Sequence, residues 1–309
     1  MKAAITTLFF IFCTFQRLEC DILYEERHID VGPAKIFCRV MGQVTGQGSP
    51  VLVIHGGPGL CHDYLLPAMA ELASNQKVIF YDQRGGGNSG GTIDPATITI
   101  DNFVEDIEAI RKAFGIGKIS LLGHSWGGHL AMKYATRHPE SVDKLILVSS
   151  APANSEDFLL FMQEWTRRVG PYMKEIHLIE ETNSYKRGDS ETVAQTLKLT
   201  FRTYCFRPDD VEKLNLKFSP LANVNGLTSY KILSQNYLSK QFDLTADLKS
   251  LTCKTLILHG DVDPIPMLAA RHIQESIRGS KLVVLNQCGH FPYVEKPEQF
   301  FFLVNEFLK

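Results

Sequence analysis

Charge is evenly spread along this sequence. Its 32 Lys and Arg residues against 34 Asp and Glu leave a formal net charge of −2. No lysine- or arginine-rich run breaks that balance, so no electrostatic footprint exists for nucleic acid or an anionic membrane surface. Metal patterns are missing too. There is no HExxH and no comparable ligand cluster, so no metal or other cofactor is expected. Cysteine is sparse and unpatterned: seven residues with no CxxC spacing. Cys13 and Cys20 fall near the N-terminus, leaving Cys38, Cys61, Cys205, Cys253 and Cys288. An odd set in a chain able to bury a large core reads as buried free thiols rather than a disulfide framework. Repeats and low-complexity segments are also absent.

Long apolar runs are lacking as well. The most apolar segment, Ala3 to Phe15, follows Met1-Lys2 and precedes Arg17-Leu18-Glu19-Cys20. It is too short to span a membrane. A basic start and a short apolar core are instead the pattern of a secretory signal peptide over residues 1–20. The expectation is a protein that is periplasmic or secreted once the signal is cleaved, and cytoplasmic otherwise. Its expected partner is a small molecule or short peptide, with no stable membrane span.

What the sequence does contain is alternation. Two β-like stretches, Ile22 to Val31 and Lys35 to Met41, read as an antiparallel edge hairpin joined through Gly32-Pro33. Val51 to Ile54, Lys77 to Tyr81, Lys118 to Leu122, Lys144 to Val148, Lys254 to Leu258 and Lys281 to Leu285 are short apolar runs. Such runs suit strands buried on both faces. Helical patterns lie between them; Thr99 to Phe114 places Phe103, Ile107 and Ile110 on one stripe, with acids early and Arg111-Lys112 late. This order predicts an α/β fold with one mostly parallel sheet flanked by helices. It lapses between about Ala151 and Leu248, where the sequence reads as helices only. The expected organisation is a core of residues 21–152 and 249–309, with a helical cap, 153–248, inserted between core strands. A cap is preferred to a silent second domain because its entry and exit flank the sheet edge where ligands bind.

The chemistry is carried by Gly123-His124-Ser125-Trp126-Gly127-Gly128, directly after a strand and opening a helix. That context makes it a nucleophile elbow, with Ser125 on a tight turn and small residues required on both sides. A serine hydroxyl needs a base to take its proton, so an acid and then a histidine should follow. Asp261-Val262-Asp263-Pro264 follows one core strand, and Gly289-His290-Phe291 follows the last. His290 is the expected base. Asp263 is preferred to Asp261 as its orienting acid, because two further residues carry it over the sheet edge and Pro264 stiffens the turn. Asp261 then reads as a turn-former. Among the other histidines, His124 and His259 are expected to pack or bond locally. The oxyanion needs two donors: the backbone N–H of Trp126, and one from His55-Gly56-Gly57-Pro58-Gly59, with Gly57 favoured.

Together HGGPG at 55–59, the segment Tyr81-Asp82-Gln83-Arg84-Gly85-Gly86-Gly87-Asn88-Ser89, and GHSWGG at 123–128 resemble the prolyl aminopeptidase (proline iminopeptidase) branch of the α/β-hydrolases. The likeness covers about residues 50–152 and, more loosely, 253–309. It implies an α/β-hydrolase fold and a serine hydrolase that acts through an acyl-enzyme, releasing N-terminal residues, often proline, from short peptides. Asp82 and Arg84 are expected to brace loops. Members of that branch hold the substrate amine with cap glutamates, and some with an acid directly after the catalytic Asp. Here Pro264 stands in that place and Tyr230 to Lys240 contains no acid, leaving Glu156, Glu164 and Glu175 as the cap acids to examine. Two other readings remain beside the aminopeptidase: a carboxylesterase or lactonase on a small apolar ester, and a non-catalytic binding protein on the same scaffold.

Overall fold

The computed structural model describes residues 24–42, 48–91 and 93–309; the expected signal peptide lies outside them. Eight strands form one sheet among the described residues, in the order β1-β2-β4-β3-β5-β6-β7-β8. They are β1 (Tyr24–Asp30), β2 (Lys35–Met41), β3 (Val51–Ile54), β4 (Val78–Tyr81), β5 (Ile119–His124), β6 (Val142–Val148), β7 (Lys254–Gly260) and β8 (Lys281–Leu285). The edge hairpin is antiparallel from Tyr24↔Met41 to Asp30↔Lys35, and β2 joins β4 antiparallel. Every later pairing is parallel. The expected mostly parallel sheet is therefore present. All residues of β3, β4 and β5 are buried, which is why those strands are apolar without alternation.

Helices cover both faces. The first, α1 (Ile100–Ala113), starts at Thr99, whose side chain accepts the Asn102 N–H, and it buries Phe103, Val104, Ile107 and Ile110. Next come α2 (Trp126–Arg137) after β5, and then α3 (Ser155–Val169), α4 (Met173–Glu180), α5 (Asn183–Lys186), α6 (Ser190–Phe201), α7 (Pro220–Leu233) and α8 (Thr245–Leu248) between β6 and β7. The chain closes with α9 (Met267–Ser276), α10 (Pro292–Glu295) and α11 (Pro297–Leu308). Among the described residues, no helix is long and apolar enough to cross a membrane.

The helical segment between β6 and β7 is fastened at its base. Ser155 N–H donates to Phe242 O, and Leu244 N–H donates to Ala153 O, each at 2.9 Å. The segment is also continuous with the core. Val169, Ile176, Ala194 and Phe218 belong to the same buried cluster as Val53, Phe80 and Leu122 on one sheet face. At its far end α7 lies backbone to backbone on the loop after β3: a Cβ on Gly226 would strike the Gly59 carbonyl, and one on Gly59 would strike the Gly226 carbonyl. The five described cysteines are free, with Cys253 half-exposed and the other four buried.

Because β3, β5, β7 and β8 run parallel, their C-terminal ends share one edge. That edge carries residues 55–59, Ser125, the 261–264 loop and the 286–291 loop. Gly226→Ala should force α7 away from the 55–59 loop and cost about 1–3 kcal/mol of stability, as overpacking does. Urea denaturation measures this directly, and an unchanged midpoint would mean that helix and loop do not touch in solution.

Candidate active site

Ser125 sits at φ 56°, ψ −123°, a backbone state that costs a non-glycine residue energy and persists only when its surroundings enforce it. Here they do. Ser125 N–H donates to Val148 O at 3.0 Å, while its carbonyl accepts from Gly128 N–H at 2.9 Å and Ala151 N–H at 2.8 Å. The flanking glycines are steric requirements: a Cβ at Gly123 would hit the Gly127 carbonyl, and one at Gly127 would hit Ile54 O.

His290 comes from the loop after β8. Its Nδ1–H donates to both carboxylate oxygens of Asp263, at 3.0 and 3.1 Å, which leaves Nε2 as the ring nitrogen outside this pair. Both side chains are buried. Burial by itself would raise the Asp263 carboxyl; the charge and hydrogen bonds of His290, with His259 nearby, outweigh it and hold the group well below the usual carboxylate range. Asp263 Oδ1 also accepts Ile265 N–H at 2.8 Å, which fixes the carboxylate plane. Asp261 does something different: its Oδ1 accepts Cys288 N–H at 3.0 Å and so holds the histidine loop. His259 bonds within its own turn, Nε2 to Ile265 O at 2.9 Å.

The two expected oxyanion donors flank the same space. Trp126 opens α2, where the first N–H groups have no intrahelical partner. Gly57 has φ +130°, reachable only without a Cβ. The 55–59 loop is braced from the 81–89 segment. Gln83 Nε2 donates to His55 O at 2.7 Å, and Gln83 Oε1 accepts the Trp126 indole N–H at 3.1 Å. Asp82 holds His62 and the Asn88 N–H, and Arg84 is bonded to Asp106 deep in the core. Ser125, His290, Gly57 and Trp126 line one cavity of about 270 Å³.

The family model for the alpha/beta hydrolase fold matches residues 49–297. Proline iminopeptidase of Heyndrickxia coagulans is 30% identical over 93% of this chain and 99% of its own. That of Saccharolobus solfataricus is 30% identical over 86% of each. Among solved structures, proline iminopeptidase from Mycobacterium smegmatis superposes with a TM-score of 0.70 at 24% identity, over 92% of this chain and 97% of that one. An esterase from Rhodococcus does so with 0.68 at 22%, over 92% and 98%. Those two likenesses are of fold. The chain belongs to the α/β-hydrolases, in their prolyl aminopeptidase-like branch. It is a serine hydrolase.

Two residues around this hydrolase's site, Tyr64 and Glu295, and the reach of a third, His124, were not legible in its motifs. Tyr64 accepts the Gly56 N–H at 2.7 Å and donates to His124 Nδ1 at 2.6 Å; His124 Nε2–H then donates to His290 O at 2.8 Å. His124 therefore bonds across the fold, not locally as expected, and links the 55–59 loop to the histidine loop. Glu295, the last residue of α10, accepts N–H groups from Phe206 at 2.7 Å, Gly289 at 2.9 Å and Phe291 at 3.0 Å. Two of those flank His290, and the third belongs to the helical segment. Burial raises the Glu295 carboxyl above its usual range despite these bonds. Nothing in the sequence separates it from a solvated surface acid five residues past a histidine.

The α/β-hydrolase's cavity is walled by Phe158, Phe161, Met162 and Trp165 of α3, with Tyr230 and Phe242. No Asp or Glu is among its described lining residues. Glu164 is bound instead to Arg167 and Arg168, at 2.7 and 2.6 Å, while Glu156 and Glu175 are exposed. Arg168 reaches past Glu164 to donate to Val262 O at 2.8 Å, tying α3 to the loop of the acid.

Burial lowers His55 and His129 from 6.5 to about 4 and His124 to about 3. Unfolded histidines take their protons near pH 6.5, and these folded ones only far below it. Between about pH 6.5 and 4 the unfolded state binds more protons, so stability should fall as pH drops, by up to about 1.4 kcal/mol per pH unit for each histidine. Urea midpoints at a series of pH values test this; a flat profile would mean the folded rings accept protons. Separately, Glu295→Gln should lower kcat by about 10- to 100-fold with a smaller change in KM, since an amide oxygen cannot accept all three N–H groups and His290 loses its alignment. Steady-state kinetics on a good ester substrate decide it, and an unaltered kcat would remove Glu295 from any positioning role.

Proposed function

We propose that this hydrolase cleaves its substrates in two steps through an acyl-enzyme on Ser125. The supporting observation is that the His290–Asp263 pair, Ser125 and both oxyanion donors converge on one cavity. His290 Nε2 takes the Ser125 proton as Oγ attacks the substrate carbonyl, and Asp263 stabilises the imidazolium. Backbone N–H groups of Gly57 and Trp126 stabilise the oxyanion. The proton passes from His290 to the leaving group; a water, activated by the same nitrogen, then releases the acid. Residues 153–248 act as a cap that supplies most of the apolar wall.

The wall favours an uncharged acyl group. A protonated substrate amine buried beside Phe158, Trp165 and Phe242 would have no carboxylate to meet it, and an unpaired buried charge costs several kcal/mol. A carboxylesterase acting on small apolar esters is the reading that this geometry supports best. Prolyl aminopeptidase activity is the second reading, favoured by proline iminopeptidase relatives at 30% identity along nearly the whole chain.

Purified protein assayed on p-nitrophenyl acetate and on proline p-nitroanilide separates the two. Ester turnover well above arylamide turnover is expected; efficient arylamide hydrolysis with poor ester hydrolysis would overturn the esterase reading. Ser125→Ala should lower kcat on the active substrate by about 10⁴- to 10⁶-fold, leaving the residue of catalysis that an oxyanion hole gives. It should also abolish labelling by a fluorophosphonate. A wild-type chain that is neither labelled nor active would revive the binding-protein alternative.

A further inference from the structure

Gly289 stands directly before His290. A Cβ there would strike the Tyr204 carbonyl and crowd the Cys205 Cα and the Phe206 nitrogen. The missing side chain is what lets the turn after α6 lie backbone to backbone on the histidine loop. That turn is held at three successive points. Thr203 O accepts from Arg168 Nη1 at 3.2 Å, Tyr204 O accepts the His290 N–H at 2.9 Å, and Phe206 N–H donates to Glu295 at 2.7 Å.

The Tyr204 side chain then meets the imidazole itself. The two rings stand perpendicular, with centroids 5.2 Å apart. Phe291 makes a near-perpendicular contact at the same 5.2 Å, and His124 a tilted one at 4.8 Å. Those two adjoin His290 and Ser125 in sequence, whereas Tyr204 comes from the segment between β6 and β7. Its ring is buried, lines the cavity shared by Ser125 and His290, and packs on Phe201 of α6 at 5.4 Å. The bond to Asp263 fixes only the Nδ1 end of the imidazole. The ring can still rock about that bond, and each tilt displaces Nε2; a perpendicular aromatic neighbour blocks the motion. We propose that Tyr204 is a positioning residue for the base: its carbonyl anchors the His290 backbone and its ring fixes the imidazole plane. The proposal rests on His290 being the base that serves Ser125.

Steady-state kinetics on p-nitrophenyl acetate test it. Tyr204→Leu removes the ring but keeps the carbonyl, and should lower kcat by about 10- to 100-fold with KM little changed, as misplacement of a catalytic group does. Fluorophosphonate labelling of Ser125 should slow by a similar factor. Tyr204→Phe, which keeps the ring, should recover most of the loss. A residue that only walls the cavity would raise KM and spare kcat; one that only supports the fold would lower the urea midpoint and spare both. Either result overturns the proposal, as does a Tyr204→Phe variant as impaired as Tyr204→Leu, which would move the role to the hydroxyl. If Tyr204→Leu fails to fold, Tyr204→Met carries the same comparison, being equally ringless and better able to fill the space. His290→Ala with undiminished kcat would bring down the base assignment and the proposal with it. An inactive His290→Ala beside an unimpaired Tyr204→Leu would bring down the proposal alone.

Discussion

The structure depends on one close backbone crossing. Helix α2 leaves β5 so abruptly that Gly127 lies against the Ile54 carbonyl and Gly123 against Gly127. No side chain fits between them. The crossing forces Ser125 into a left-handed conformation that its neighbours then hold by three backbone hydrogen bonds. It also brings the end of β3, and with it the 55–59 loop, beside the start of α2. The strained turn at Ser125 and the meeting of the 55–59 loop with the start of α2 are thus products of a single steric constraint. Relaxing it would blunt the turn at Ser125 and part the 55–59 loop from the start of α2 at once.

Around that crossing the site is held by hydrogen bonds between distant segments. Tyr64 and His124 connect the 55–59 loop to the carbonyl of His290. Glu295 gathers the N–H groups on either side of His290 and one from the helical segment, and Arg168 reaches from α3 to the loop of Asp263. A buried polar network of this kind is stabilising only when each member is satisfied. The consequence is mechanical: the helical segment is not a loose cover, because its residues Phe206 and Arg168 help fix the histidine and acid loops. The wall of the cavity and the placement of the His290 and Asp263 loops are therefore set by the same contacts.

The amine question illustrates the division of labour in this branch. Its scaffold hosts a proline iminopeptidase in one solved neighbour and an esterase in another, so the fold does not choose the substrate. The choice lies in the charges of the wall. In this chain Glu164 is consumed by two arginines and the wall around Ser125 is aromatic. An apolar wall strengthens hydrogen bonds and charge interactions through its low dielectric, but it penalises any buried charge left without a partner.

Sequence by itself located the eight strands: the Gly32-Pro33 turn marked the edge hairpin, and continuous apolar runs such as Val51 to Ile54 fit best between two helical layers. It also named Ser125, Gly57, Trp126, Asp263 and His290 as candidates, since turns after such strands leave a local signature. Tyr64, Glu295 and the reach of His124 were invisible for the opposite reason. Their farthest partners are 60, 89 and 166 residues away, and a lone Tyr or Glu carries no period or spacing that announces a distant bond. Only the tertiary structure decided which acids between β6 and β7 were spent on arginines and which faced a cavity. That sequence names its carboxylates, but how its helices pack decides what each of them meets.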